Sequence, residues 1–312
     1  MKKIFLFLMV VLIFFNMIRA QDYPLSQPYS NPFWMCPSLV GNAEGPRISS
    51  FFRSQWPEVS GSYNTAALGL DAPVKAVYGG LGVYGVYDVS GENALKEWSI
   101  NVIYSFRKEE NENFNWRVAT QYSFGHKYLD CSKLTFPDQI DPRHGFIFTT
   151  NEALPEDGFT KSYFDLGFSA AVDWKKWTAG VSSFHVLEPN VGFISNSPLK
   201  RTYIFFAGYD LWLMKGEKPE GFHVSPLAYY TTSPFGYSML CGTNVSLNWL
   251  YFGAYCRFGE SNADAVIFQL GSRFWHFQAG YSYDMTVSKL TNASGGSHEV
   301  FLNYLFNKND KK

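Results

Sequence analysis

Between Phe274 and Phe306 apolar and polar residues alternate with period two. Trp275, Phe277, Ala279, Tyr281 and Tyr283 alternate with His276, Gln278, Gly280, Ser282 and Asp284. After a loop holding Asn292, Gly295 and Gly296, the residues Val300, Leu302, Tyr304 and Phe306 resume the pattern. Period two is the signature of a strand with two unlike faces. Residues 114–125 split the same way. Phe114, Trp116, Val118, Thr120, Tyr122 and Phe124 form one face, and Asn115, Arg117, Ala119, Gln121 and Ser123 the other. In 163–174, Phe164, Leu166, Phe168 and Val172 oppose Asp165, Gly167, Ser169 and Asp173.

Reading this periodicity along the chain predicts fourteen strands: 47–56, 62–71, 76–88, 98–107, 114–125, 163–174, 177–185, 202–214, 222–231, 236–247, 250–258, 265–272, 274–284 and 297–306. Their combined apolar face is too large and too aromatic for one globular core. A closed antiparallel transmembrane β-barrel, with lipid outside and a polar interior, accommodates it. The last hairpin then zips onto the first strand. The connections support this count. Those near Lys175, Asn248 and Arg273 are tight, whereas 127–162, 186–201 and 285–296 are long. Short turns on one side and long loops on the other are the usual arrangement of outer-membrane barrels. Trp98, Trp116, Trp174, Trp177, Trp249 and Trp275 fall near strand ends, where interfacial girdles sit.

Residues 1–20 are read as a signal peptide. Lys2 and Lys3 precede an apolar run from Ile4 to Phe15, and Ala20 ends the segment. The mature chain is expected to start at Gln21. No cysteine adjoins the cut, which argues against lipoprotein attachment. Residues 21–45 carry Pro24, Pro28, Pro32 and Pro37 and do not suit a continuous sheet. They are expected to be irregular, along the periplasmic side or tucked into the barrel as a plug. Residues 46–306 form the barrel, and 307–312 a polar tail. Gly79, Gly80, Gly82 and Gly85 permit sharp coiling or the close approach of an inner element.

Composition adds little. Aromatic residues make up 19% of the chain but charged ones only 17%, as an alternating membrane barrel requires. The net charge of −1 argues against nucleic-acid binding.

Candidate chemistry is sparse. Asp138, Asp141 and Glu152 in the longest loop offer oxygen ligands for calcium, but without EF-hand spacing. The better reading of this loop is a structured partner-binding element. Its length, its turn residues and its apolar Ile140, Phe146, Ile147 and Phe148 point that way. The candidate contact residues are Asp138, Gln139, Ile140, Asp141, Arg143, Phe146, Phe148 and Glu152, with 136–152 expected over the barrel mouth. Glu299 is expected inward, bonded to Arg47 or Arg53 and closing the barrel. His298 then points to the opposite face, so the pair makes a poor metal clamp. Ser183, His185 and Glu188 lie close in sequence, but no nucleophile motif frames them, and no enzyme or cofactor is expected.

The apolar faces of 236–247 and 250–258 fix a register for their hairpin. A turn between Asn248 and Trp249 places Leu247 opposite Leu250 and Cys241 opposite Cys256. Both thiols would face lipid as neighbours, with a disulfide or two free thiols as the alternatives.

Several blocks, in order, carry a resemblance. They are Asn31-Pro-Phe with Pro37-Ser-Leu-Val-Gly41, Arg53-Ser-Gln-Trp-Pro57, and Gly79-Gly-Leu-Gly-Val83. Further on come Asp138-Gln-Ile-Asp-Pro-Arg-His-Gly-Phe-Ile147, Gly280-Tyr-Ser-Tyr-Asp284 and Gly295-Gly-Ser-His-Glu299. With these the chain resembles the PorP/SprF family of Bacteroidetes outer-membrane proteins of type IX secretion and gliding. Cys36 stands where the family usually has a non-thiol residue. The resemblance implies a barrel without catalytic chemistry that binds and anchors exported cargo or a machine component. The implied partners are the C-terminal sorting domain of a type IX secreted protein, periplasmic components of the machinery, and outer-membrane lipid. The rival expectation is a small-solute channel of porin or fatty-acid-transporter type.

Overall fold

The computed structural model describes residues 25–141, 143–211, 221–259, 263–287 and 295–306. The expected signal peptide and the polar tail fall outside these residues. Alternation becomes strand wherever it was read, and the strands close on themselves. They are β1 (Arg47–Gln55), β2 (Tyr63–Val74), β3 (Gly79–Ser90), β4 (Leu95–Asn111) and β5 (Phe114–Leu129). A loop ribbon, β6 (Ile140–Asp141) and β7 (Gly145–Phe146), stands apart from the barrel. Then follow β8 (Phe159–Trp174), β9 (Trp177–Phe184), β10 (Thr202–Tyr209), β11 (Phe222–Ser233) and β12 (Gly236–Leu247). The last four are β13 (Leu250–Phe258), β14 (Ala263–Phe274), β15 (Phe277–Thr286) and β16 (Ser297–Leu305). Excluding the ribbon, fourteen strands form one closed antiparallel barrel. The seam joins β1 to β16 from Arg47↔Leu305 to Gln55↔Ser297. Each barrel strand pairs with a neighbour on both sides, the condition for crossing lipid with strands. Among the described residues no helix is long and apolar enough to span a membrane.

The outer face is the one that alternation predicted. Phe164 is 71% exposed and Phe168 47%, while Asp165 and Ser169 beside them are buried. The inner face departs from the expected polar lumen. Tyr84, Ile103, Phe206, Tyr251, Tyr255, Ile267 and Phe301 all point inward and are buried. Residues 25–45 pack against them inside the barrel.

Three boundaries shift for local reasons. Lys75–Val77 forms a 3-10 turn and Tyr78 takes a left-handed φ of 53°, so β3 starts at Gly79 and not at residue 76. The turn expected near Arg273 lies at Trp275-His276 instead. Phe274 pairs with Phe277 there, Trp275 has φ 53°, and Arg273 stays in the strand, facing inward. β10 ends at Tyr209, just before Asp210, which has φ 50°, and residues 212–214 of the expected strand lie outside the described residues. The loop rhythm is also less strict than expected. The β10–β11 connection is long on the short-turn side, and the β11–β12 connection, Pro234-Phe235, is tight on the long-loop side.

In the β12–β13 hairpin Cys241 lies opposite Cys256 and Leu247 opposite Leu250. Both thiols are free, with Cys256 exposed on the outer face. A lipid-facing thiol is shielded from aqueous reagents. In a variant with Cys36 and Cys131 replaced by serine, a membrane-impermeant maleimide should label the bilayer-embedded protein only after denaturation. Rapid labelling of the folded barrel would put this face in water.

Candidate functional site: the plugged lumen and its outer cavity

An irregular chain inside a barrel has no ladder of its own, so its backbone groups need other partners. Wall side chains supply them. The Ser169 hydroxyl accepts from the Ser38 N–H at 2.8 Å, and Ser105 donates to the Ser38 carbonyl at 2.9 Å. Ser182 donates to the Met35 carbonyl, Asn303 to that of Ser30 and Gln269 to that of Ser26. Tyr29 donates to Gln269, and its ring stacks on Tyr255 with centroids 6.1 Å apart. Glycines in the wall make room. A Cβ at Gly80 would lie 2.4 Å from the Val40 carbonyl oxygen, and one at Gly69 would lie 2.5 Å from the Phe33 ring. The inner element that the β3 glycines admit is therefore the chain's own N-terminal segment.

Buried charges lock this segment to the seam. Glu299 on β16 accepts from the Ser26 N–H at 2.8 Å and from the Gln27 N–H at 3.0 Å. Arg53, directly opposite on β1, reaches Glu299 at 3.3 Å and Asp284 on β15 at 3.2 Å. Arg257 on β13 binds Asp284 and the β14 residue Asp264, each at 2.8 Å. Five adjacent strands and the plug thus share one hydrogen-bonded charge cluster. The expected inward Glu299 meets Arg53 but not Arg47. Arg47 instead makes a bidentate pair with Asp71 on β2, and Asp71 also accepts from the Gly41 N–H at 2.8 Å. The reason is register: Arg47 lies opposite Leu305, eight residues along the seam from the Gln55↔Ser297 end, while Arg53 lies opposite Glu299.

Among the described residues the plug borders a cavity at each end of the barrel. One of about 330 Å³ lies at the short-turn end, lined by Asn42, Glu44, Arg107, Asn115 and Asp173 among others. A larger one of about 590 Å³ opens at the long-loop end. Leu25 and Trp34 of the plug line it, together with the upper walls of the barrel. Arg257, Asp71 and Trp34 are not marked by the sequence as site residues, and Asp284 is marked only as an inward position. Alternation marks Asp284 as inward, and a buried carboxylate requires a partner, which was the available signal.

The long loop is self-braced. Asp141 accepts from the Arg143 and His144 N–H groups and from His144 Nδ1, at 2.8–2.9 Å. The Arg143 N–H, with burial opposing it, holds the Asp141 carboxyl below its usual range. Asp138 accepts from Thr150 Oγ1 and the Asn151 N–H. Gln139 accepts from the Phe136 N–H through its side chain and from the Ile147 and Phe148 N–H groups through its carbonyl. The backbone N–H of Glu152 donates to Thr150 Oγ1. Ile140, Phe146, Ile147 and Phe148 remain between 47% and 62% exposed. None of the described residues of 136–152 lines the outer cavity. β5 and β8 pair out to Leu129↔Phe159 and carry the loop beyond the rim. Asp138, Gln139, Ile140, Asp141, Arg143, Phe146, Phe148 and Glu152 thus share one loop, outside the lumen.

Ser183 and His185 are set apart. Ser183 is on the outer face of β9, whereas His185 lines the outer cavity with Nδ1 2.6 Å from Asp165. Glu188 turns to Lys200 and Arg201.

Residues 18–304 match the family model described as "Type IX secretion system membrane protein PorP/SprF". No curated protein matches the chain. Among solved structures, the toluene transporter TbuX of Ralstonia pickettii is similar at TM-score 0.51 and 9% identity, over 88% of this chain and 93% of that one. The toluene transporter TodX of P. putida is similar at TM-score 0.50 and 9% identity, over 91% and 93%. At such identities the likeness concerns the barrel fold alone.

Proposed function

As the chain belongs to the PorP/SprF family of type IX secretion system membrane proteins, we propose that it binds and anchors an exported cargo protein or a machine component at the cell surface. In this reading it is a non-enzymatic outer-membrane barrel, delivered by the signal peptide of residues 1–20. The cargo engages it through a C-terminal sorting domain, and periplasmic components of the machinery engage it from the other side. The docking element is the loop from Asp138 to Glu152.

One observation carries this reading. Ile140, Phe146, Ile147 and Phe148 are held in the open by a loop braced from within by Asp138, Gln139 and Asp141. Pre-ordering a loop lowers the entropy lost on binding, and exposed apolar side chains on a braced frame suit a protein partner. The channel alternative is disfavoured by the plug, which occupies the lumen from Leu25 to Gly45.

Exchange of residues 136–152 for a Gly/Ser linker tests the assignment. The barrel should still assemble, judged by its heat-modifiable migration on gels. Cargo should be released from the cell surface into the medium. Unchanged retention would remove the loop from the docking site.

A further inference from the structure

We infer that the outer cavity is a binding site for a neutral saccharide. Its volume of about 590 Å³ lies within the usual range of small-molecule sites, roughly 300–1,000 Å³. Three properties of the lining select the ligand class.

Charge comes first. Each described ionisable acid or base that lines the cavity is already paired within the protein. Glu97 binds Lys127 at 2.8 Å, His185 binds Asp165 at 2.6 Å, and Arg257 binds Asp264 at 2.8 Å. Lys200 lies 3.8 Å from Glu188. A charged ligand would have to break one of these pairs, and an unpaired charge in such a site is costly.

Hydrogen bonding comes second. Asn101, Gln121, Ser99, Ser123, Thr231 and Ser238 line the same space with amides and hydroxyls. These groups both donate and accept. The Gln121 amide nitrogen donates to Ser123 at 3.1 Å, but its oxygen has no partner among the described residues. A purely apolar ligand would leave this polar wall dry and unsatisfied.

Shape comes third. Trp34 lines the cavity and is braced by Phe51 at 5.6 Å and by Tyr84 at 6.2 Å. Tyr229 also lines it. Aromatic rings beside amides and hydroxyls match a sugar, which has apolar C–H faces and a polar rim of hydroxyls.

This site is independent of the docking loop. Replacing 136–152 keeps the cavity, and cavity variants keep the loop, so either assignment can fail alone. The full chain in lipid nanodiscs would be applied to an array of neutral and acidic oligosaccharides. Neutral glycans should be retained. The best of them would be titrated by the change in tryptophan fluorescence. Gln121→Leu and Tyr229→Leu should each weaken it about fivefold or more, with Trp34→Ala as a third variant. The heat-modifiable gel shift identifies any variant that fails to fold, and the remaining variants decide. The inference is overturned if no glycan is retained or if acidic glycans are preferred. It is equally overturned if folded variants bind as the wild type does, or if toluene or a neutral tripeptide competes equally well.

Discussion

Glu299→Ala is expected to cost about 3–5 kcal/mol of barrel stability, the usual cost of breaking a buried charge pair from one side. Glu299 is 1% exposed and serves three donors, Arg53 and the N–H groups of Ser26 and Gln27. Its removal leaves all three short of an acceptor at the seam where the barrel closes. Arg53 keeps Asp284, but Asp284 is already shared with Arg257 and Ser26. Glu299→Gln should cost less, because the amide oxygen still accepts from one backbone N–H. Urea unfolding in detergent, followed by tryptophan fluorescence, measures both. A Glu299→Ala cost below about 1 kcal/mol, the scale of an exposed ion pair, would mean that the cluster does not hold the seam.

Deleting residues 25–45 should convert a closed barrel into an open one. The segment fills the lumen between the two cavities, and the wall behind it is partly polar, with Ser105, Ser169, Ser182, Gln269 and Asn303 freed by its loss. The strand ladders, including the nine-residue seam, are formed without it. The barrel should therefore persist and fill with water. In planar bilayers the intact protein should show no discrete conductance, whereas the deletion variant should show stepwise openings. Comparable openings from the intact protein would revive the channel reading. Loss of the heat-modifiable gel shift in the deletion variant would show that the plug is needed for the barrel to form.

Reading function from this chain therefore divides along physical lines. The loop and the buried charge cluster at the seam were partly legible. A loop of that length with turn residues and clustered apolar side chains stands out in sequence. So does an inward Glu near a seam, because a buried carboxylate demands a cation. Which cation answers it is a matter of register, and register separated Arg53 from Arg47. The outer cavity was not legible at all. Asn101, Gln121, Asp165, Thr231 and Ser238 come from five strands that meet only in the closed barrel.

The sequence by itself determined the architecture. Period-two alternation depends only on neighbouring residues, since a strand sets successive side chains on opposite faces. It therefore specified fourteen strands, their outward faces and the register that sets Cys241 opposite Cys256. The tertiary structure alone decided what the lumen contains. Pro28, Pro32 and Pro37 exclude residues 25–45 from a strand, but no local pattern says where an excluded segment goes. Its place follows from contacts across hundreds of residues, such as Ser26 with Glu299 and Phe33 against Gly69. Packing of this kind is a property of the closed barrel. It also explains why Tyr251, Tyr255 and Phe301 face inward where alternation alone predicts a wet interior.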